Sequence, residues 1–143
     1  EDELGKTKFI IFYLLSGVAA ALTQVYMNTE STIPMVGASG AIGGVLGAYI
    51  VNYPRAKVLV LIPLGFFSQI VKIPAIFVLG IWFLLQFVSS ALTSSAGGGV
   101  AYGAHIGGFV FGAVAILFFN RGYKQRSIRK KISKKNKNPW DRK

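Results

Sequence analysis

Apolar and polar positions along this chain fall into long runs and short breaks rather than a fine alternation. A helix crossing the hydrocarbon core needs about 20 mostly apolar residues, and four runs meet that length: 9–27, 36–53, 74–93 and 100–119. A fifth run, "VLVLIPLGFFSQIV" at 58–71, has 14 residues, carries Pro63 and Gly65, and is flanked by Arg55, Lys57 and Lys72. It is too short to span and basic at both ends, so an interfacial or re-entrant connector is expected there. The pattern predicts an all-α fold, a polytopic transmembrane helix bundle with four spans.

Charge sharpens this picture. The 143 residues are 52% hydrophobic, yet the formal net charge is +11. Between Phe9 and Phe119 the only charged residues are Glu30, Arg55, Lys57 and Lys72, whereas 11 of the 16 Lys and Arg follow Phe119. A soluble domain would scatter its charges over every element, so this segregation points to a membrane protein. With four spans, Lys6, Lys8, Arg55, Lys57, Lys72 and the basic tail 120–143 all fall on one side. The positive-inside rule makes that side cytoplasmic and places both termini there, in a multi-pass protein expected in a prokaryotic plasma membrane. The tail reads as a topological anchor against the lipid bilayer, and without interleaved aromatics it gives no support for nucleic acid as a partner. Cysteine is absent, which removes disulfides, zinc–thiolate sites and thiol catalysis; neither a metal nor a cofactor is expected. Residue 1 is Glu rather than Met, so a fragment or trimmed chain is expected, with no signal peptide visible.

Two polar side chains stand out inside the spans. "PMVGASGAIGGVLGAY", 34–49, sets Ser39 among five glycines, and His105 is the sole histidine of the chain. Counted at ~1.5 Å per residue, each lies within roughly 4 to 8 Å of the outer end of its span. Ser39 shares a helix face with Gly43 and Gly47, and His105 shares one with Gly108 and Gly112. In lipid, small residues let helix backbones approach closely, so these four glycines are expected to pack helix on helix and to bring serine and histidine within hydrogen-bond reach. Each residue has a plainer alternative: Ser39 as a small packing residue bonded to its own backbone, His105 as a structural histidine bonded to a carbonyl.

A serine hydroxyl becomes a useful nucleophile when a base takes its proton, and a neutral imidazole suits that task. No carboxylate is placed to orient the ring, since Glu1, Asp2, Glu3 and Asp141 lie on the cytoplasmic side and Glu30 is in an outer loop. The expectation is therefore a dyad, Ser39 as nucleophile and His105 as general base, with packing rather than an acid fixing the imidazole.

At these residues the chain resembles the rhomboid family of intramembrane serine proteases. The motif Gly-x-Ser-Gly occurs as Gly37, Ala38, Ser39, Gly40 and the histidine motif as "AHIGG", 104–108, with "GKTKFIIFYLLSG", "YPRAK" and "WFLLQF" in support. The resemblance runs from about residue 1 to Phe119. It implies a six-helix core with serine on the fourth helix and histidine on the sixth, so the four spans correspond to helices three through six and the upstream rhomboid helices are absent from this chain. In the family the second helix gives a histidine and an asparagine to the oxyanion hole; here the Ser39 backbone N–H is the one such donor that can be assigned. Gly43 stands where some relatives carry a tyrosine stacked on the catalytic ring, which leaves the ring to other groups.

The resemblance implies a serine endopeptidase whose partners are transmembrane protein substrates, cut near the outer end of a span. The glycine-rich stretch "SSAGGGVAYG", 94–103, is either a cap over the site or a plain connector. Two alternatives remain: a catalytically inactive rhomboid-like protein that binds transmembrane clients, and a subunit of a channel or transporter.

Overall fold

The computed structural model describes residues 1–32, 34–65, 67–92 and 100–135. Its elements are α1 (Lys6–Met27), α2 (Ser39–Asn52), β1 (Lys57–Leu64), β2 (Phe67–Pro74), α3 (Ala75–Leu92) and α4 (Tyr102–Lys135). Helices α1 and α3 and the Tyr102–Phe119 part of α4 are long and apolar enough to cross a membrane. Their outward faces are what a membrane solvent requires. Leu14, Val18, Leu22 and Val25 on α1, Phe77, Ile81, Leu84 and Val88 on α3, and Val110, Val114 and Leu117 on α4 are all exposed, a continuous apolar surface that a water-soluble monomer does not carry.

The directions of the helices follow from their contacts. Along α1 the buried positions Phe12, Ser16 and Ala20 recur every four residues; Gly44 lies against Ser16 and Gly40 against Ala20, so α1 and α2 are antiparallel. At α4, Gly40 meets Ala104, Gly44 meets Gly108, and Gly47 meets Phe109, so α2 and α4 run the same way. Phe83 of α3 stacks on Phe109 at 4.6 Å between ring centroids, and Gln86 reaches back to His105, so α3 runs opposite to α4. The chain thus alternates direction helix by helix. At the end where α1 begins and α2 finishes, the Tyr53 hydroxyl donates to the Glu3 carboxylate. Nearby, Phe12 packs edge-on against Phe119 at 5.6 Å in a cluster with Ala48 and Ile116.

Two expectations are corrected. The fold is not all-α: the connector 58–71 lies in an antiparallel hairpin, β1 on β2, in register from Lys57↔Pro74 to Leu64↔Phe67. β-Branched residues at Val58, Val60, Ile62, Ile70, Val71 and Ile73 favour the extended chain, and Gly65, at φ 70°, turns the chain after β1 in a conformation that favours glycine. The second apolar run is also not helical throughout. The expected span 36–53 contains a helix of 14 residues, about 21 Å long, against about 30 Å of hydrocarbon. Residues 34–38 enter it as irregular backbone.

The helix backbone of α4 continues through Lys135, 34 residues in all, so the first part of the basic tail extends the last span. Residues 136–143 of the tail, and residues 94–99 of the glycine-rich stretch expected as either a cap or a plain connector, lie outside the described residues.

The contact between α2 and α4 is made by backbone. A Cβ on Gly112 would overlap the carbonyl oxygen of Gly44, one on Gly108 that of Gly40, and one on Gly47 that of Phe109. By contrast, a Cβ on Gly80 of α3 meets nothing within 4 Å. Gly112→Ala is expected to destabilise the bundle by about 1 to 3 kcal/mol through overpacking. Gly80→Ala is expected to be neutral or to stabilise by up to about 1 kcal/mol through helix propensity. Unfolding midpoints of the two variants in detergent micelles test this; equal midpoints would contradict the backbone contact.

Candidate functional site

The site lies at the end of the bundle where α2 and α4 begin. Gly37 has φ 120°, a backbone conformation that L side chains rarely adopt, and it turns the chain from the irregular stretch 34–38 into α2. Ala38 caps the helix without a side-chain hydrogen bond, and Ser39 is its first residue. The first intrahelical bond runs from the Ile42 N–H to the Ala38 carbonyl at 3.1 Å. The N–H groups of Ser39, Gly40 and Ala41 therefore have no acceptor within the helix, and they carry the positive end of its dipole.

His105 is the fourth residue of α4. The start of that helix is seated by α1, where the Ala104 N–H donates to Gln24 Oε1 at 3.1 Å and Gly103 packs so closely that a Cβ would come within 2.6 Å of the same oxygen. One turn further, Gly107 presses on Thr23, whose hydroxyl donates to the Ala19 carbonyl at 2.8 Å.

These placements bring Ser39 Oγ and His105 Nε2 to 2.9 Å. The other ring nitrogen, Nδ1, is 2.7 Å from Gln86 Oε1 of α3. One neutral tautomer satisfies both contacts: Nδ1–H donates to the Gln86 carbonyl oxygen, and the Ser39 hydroxyl donates to the Nε2 lone pair. The indole of Trp82, one turn before Gln86, lies 5.9 Å from the imidazole at 37° and 6.1 Å from the Phe109 ring. Ser39 is exposed and His105 half-buried. Both border a cleft of about 910 Å³ lined also by Gln24, Asn28, Tyr102 and residues 34–41. Irregular backbone at membrane depth is tolerated where it lines such a cavity.

Of the four glycines picked out for packing, Gly43 faces His105 directly, with a Cβ placed 3.1 Å from its carbonyl oxygen. Gly47, Gly108 and Gly112 make the backbone contacts described above. Gly40 and Gly44 belong to the same seam and were not singled out by the sequence; their four-residue spacing with Ala48 was the available signal. Gln86 and Trp82 were also missed, although both stand in "WFLLQF", where a carboxamide in an otherwise apolar run marks a polar contact inside the bundle.

An apolar helical bundle with a serine and a histidine paired at the mouth of a cleft defines a class of integral membrane protein. Residues 1–122 match the Rhomboid domain, and the chain belongs to the rhomboid family. It is 26% identical over 136 residues to "Rhomboid protein 1, mitochondrial" of Saccharomyces cerevisiae, covering 89% of this chain and 35% of that protein. It is 28% identical over 132 residues to "Rhomboid protease AarA" of Providencia stuartii, covering 83% of this chain and 45% of the relative. The chain thus spans less than half the length of these curated relatives. No solved structure matches it.

The Gln24 bond to Ala104 is the testable support of this geometry. The Ala104 N–H also meets the Ala101 carbonyl at 3.0 Å, so Gln24→Leu removes the interhelical one of its two acceptors and is expected to cost about 0.5 to 1.5 kcal/mol. Hydrogen–deuterium exchange in peptides covering 101–109 should accelerate in that variant; unchanged protection would show that α4 is seated by other contacts.

Proposed function

We propose that this chain carries the catalytic pair of an intramembrane serine endopeptidase acting on transmembrane-anchored protein substrates. The observation that supports this most directly is the 2.9 Å contact between Ser39 Oγ and His105 Nε2, within the reach required of a general base. As the serine oxygen adds to a scissile carbonyl, its proton passes to Nε2. The oxyanion that forms meets the Ser39 N–H at the positive end of α2, a position suited to stabilising developing negative charge. The imidazolium then returns its proton to the leaving amine, which departs and leaves an acyl ester on Ser39. Water entering from the cleft gives a proton to Nε2 and attacks the ester, releasing the carboxyl product and restoring the hydroxyl.

The cleft explains why a peptide bond can be presented at this depth. An unwound substrate segment exposes N–H and C=O groups that lipid cannot satisfy, and the 34–41 backbone and the side chains of Gln24 and Asn28 line the cavity it would enter. The basic residues of the loop and tail favour an orientation with both termini of the chain cytoplasmic, which puts the cleft at the outer face.

In the full-length protein reconstituted in liposomes with a fluorogenic transmembrane substrate, Ser39→Ala and His105→Ala are each expected to lower kcat by at least about 10³-fold. A fluorophosphonate should label Ser39 in the wild type and lose that labelling in His105→Ala. Turnover of Ser39→Ala within tenfold of wild type would overturn the protease assignment. Labelling-negative wild-type protein that still retains a transmembrane client would favour the non-catalytic alternative.

A further inference from the structure

Among the described residues no carboxylate partners the imidazole, which would then be expected to rely on packing for its orientation, yet the structure places a specific polar partner behind it. Gln86 is the one carboxamide of α3, on a helix whose neighbouring Leu84, Leu85 and Phe87 are exposed in the membrane-spanning region. A primary amide in such a setting is costly unless it is hydrogen-bonded, and its oxygen lies 2.7 Å from His105 Nδ1. The four-residue spacing of Trp82 and Gln86 puts both on one helix face. That face presents an aromatic ring beside the imidazole and an acceptor at its far nitrogen.

The chemical consequence concerns the tautomer. A neutral imidazole has one N–H. If it is on Nδ1, the Nε2 lone pair faces Ser39 and can accept its proton. If it is on Nε2, the ring donates to the serine oxygen and cannot act as a base toward it. A carbonyl oxygen at Nδ1 selects the first arrangement, the orienting task that a buried carboxylate performs in three-residue serine protease sites. When Nε2 takes the serine proton, the Nδ1–H···Oε1 bond becomes charge-assisted and strengthens. A neutral amide supplies orientation and a dipole, without the full countercharge of a carboxylate.

We propose that Gln86 is the positioning residue of this site, holding His105 in the tautomer whose Nε2 accepts from Ser39. The inference rests on the Ser39–His105 reading above. It assigns the orienting role to α3, a helix that contributes neither member of the pair.

The test is a kinetic comparison of Gln86→Leu and Gln86→Glu with wild type and Ser39→Ala, using the full-length protein in liposomes and the same substrate. Gln86→Leu is expected to lower kcat by about 10- to 100-fold, the scale at which losing the partner that orients a metal-bound histidine acts, with KM changed less than about twofold. Gln86→Glu keeps an acceptor oxygen and is expected to retain kcat within about threefold at its optimum. Its carboxylate, next to Nδ1, favours the imidazolium, so the acid limb of the kcat/KM profile should move to higher pH by about one unit or more. That displacement is not produced by packing alone, and it remains readable if Gln86→Leu fails to fold. A Leu variant with wild-type kcat, or a Glu variant whose acid limb stays in place, overturns the inference. The outcomes separate from those of the parent reading: an inactive Ser39→Ala beside unaffected Gln86 variants removes only the role of Gln86, whereas an active Ser39→Ala removes the dyad itself.

Discussion

The approach of α2 to α4 is the constraint on which the rest of the structure depends. Neither helix has a hydrophobic incentive to leave lipid for the other, because acyl chains are as apolar as their side chains. What holds them is the surface area of two backbones brought together with almost nothing between. The carbonyl oxygens of Gly40 and Gly44 sit where side chains on Gly108 and Gly112 would be. Dispersion over such a seam is small per atom pair and large in sum. The seam also fixes a distance. Ser39 and His105 occupy the first turns of two helices running in the same direction, and a seam that begins one residue after the serine leaves their short side chains little distance to cover.

The other two helices, α1 and α3, complete this arrangement in different ways. α1 acts through small and hydroxylated positions: Ser16, fully buried, returns its hydroxyl to the Phe12 carbonyl at 2.8 Å, and Thr23 does the same toward Ala19, so neither leaves a polar group unsatisfied while both keep the surface narrow. Only near the cleft does α1 spend a longer polar side chain, Gln24, on another helix. α3 buries one residue, Ala75, and its contacts with α4 include the rings of Trp82 and Phe83 and the amide of Gln86. Three interhelical polar contacts at the cleft, Gln24 to Ala104, Gln86 to His105 and Ser39 to His105, gather at or beside the imidazole, where a defined geometry is worth more than added burial.

Much of this was legible in the sequence. The long charge-free runs follow from the exclusion of charge from hydrocarbon, and the matched depth of Ser39 and His105 follows from counting residues along a regular helix. Glycines at four-residue spacing announced close packing because a helix face repeats on that interval. The hairpin was not legible by the same means. Its length says only that it is too short to span, and with apolar residues on both faces of the strands there is no clean alternation to betray an extended chain; β-branching and Gly65 are the remaining signals. The limits of α2 were hidden because residues 36–38 are as small or apolar as the helix they precede. Gln86 was hidden for another reason. Its partner is 19 residues away on a different helix, and only the direction and rotation of α3 against α4 show which neighbour a lone amide will find.

The hairpin has a consequence for depth. A two-stranded ribbon has two open rims, each a row of amide and carbonyl groups without a strand beside it, and acyl chains have nothing to offer them. Its side chains impose the opposite demand, since Leu59, Leu61, Phe67 and Ile70 are each more than 60% exposed and would be poorly accommodated by bulk water. The phospholipid glycerol and headgroup layer meets both requirements at once, hydrating the rims while taking up the aliphatic groups, with Lys57 and Lys72 able to meet phosphate. The ribbon is thereby suited to lie in that layer, between the two helices it joins.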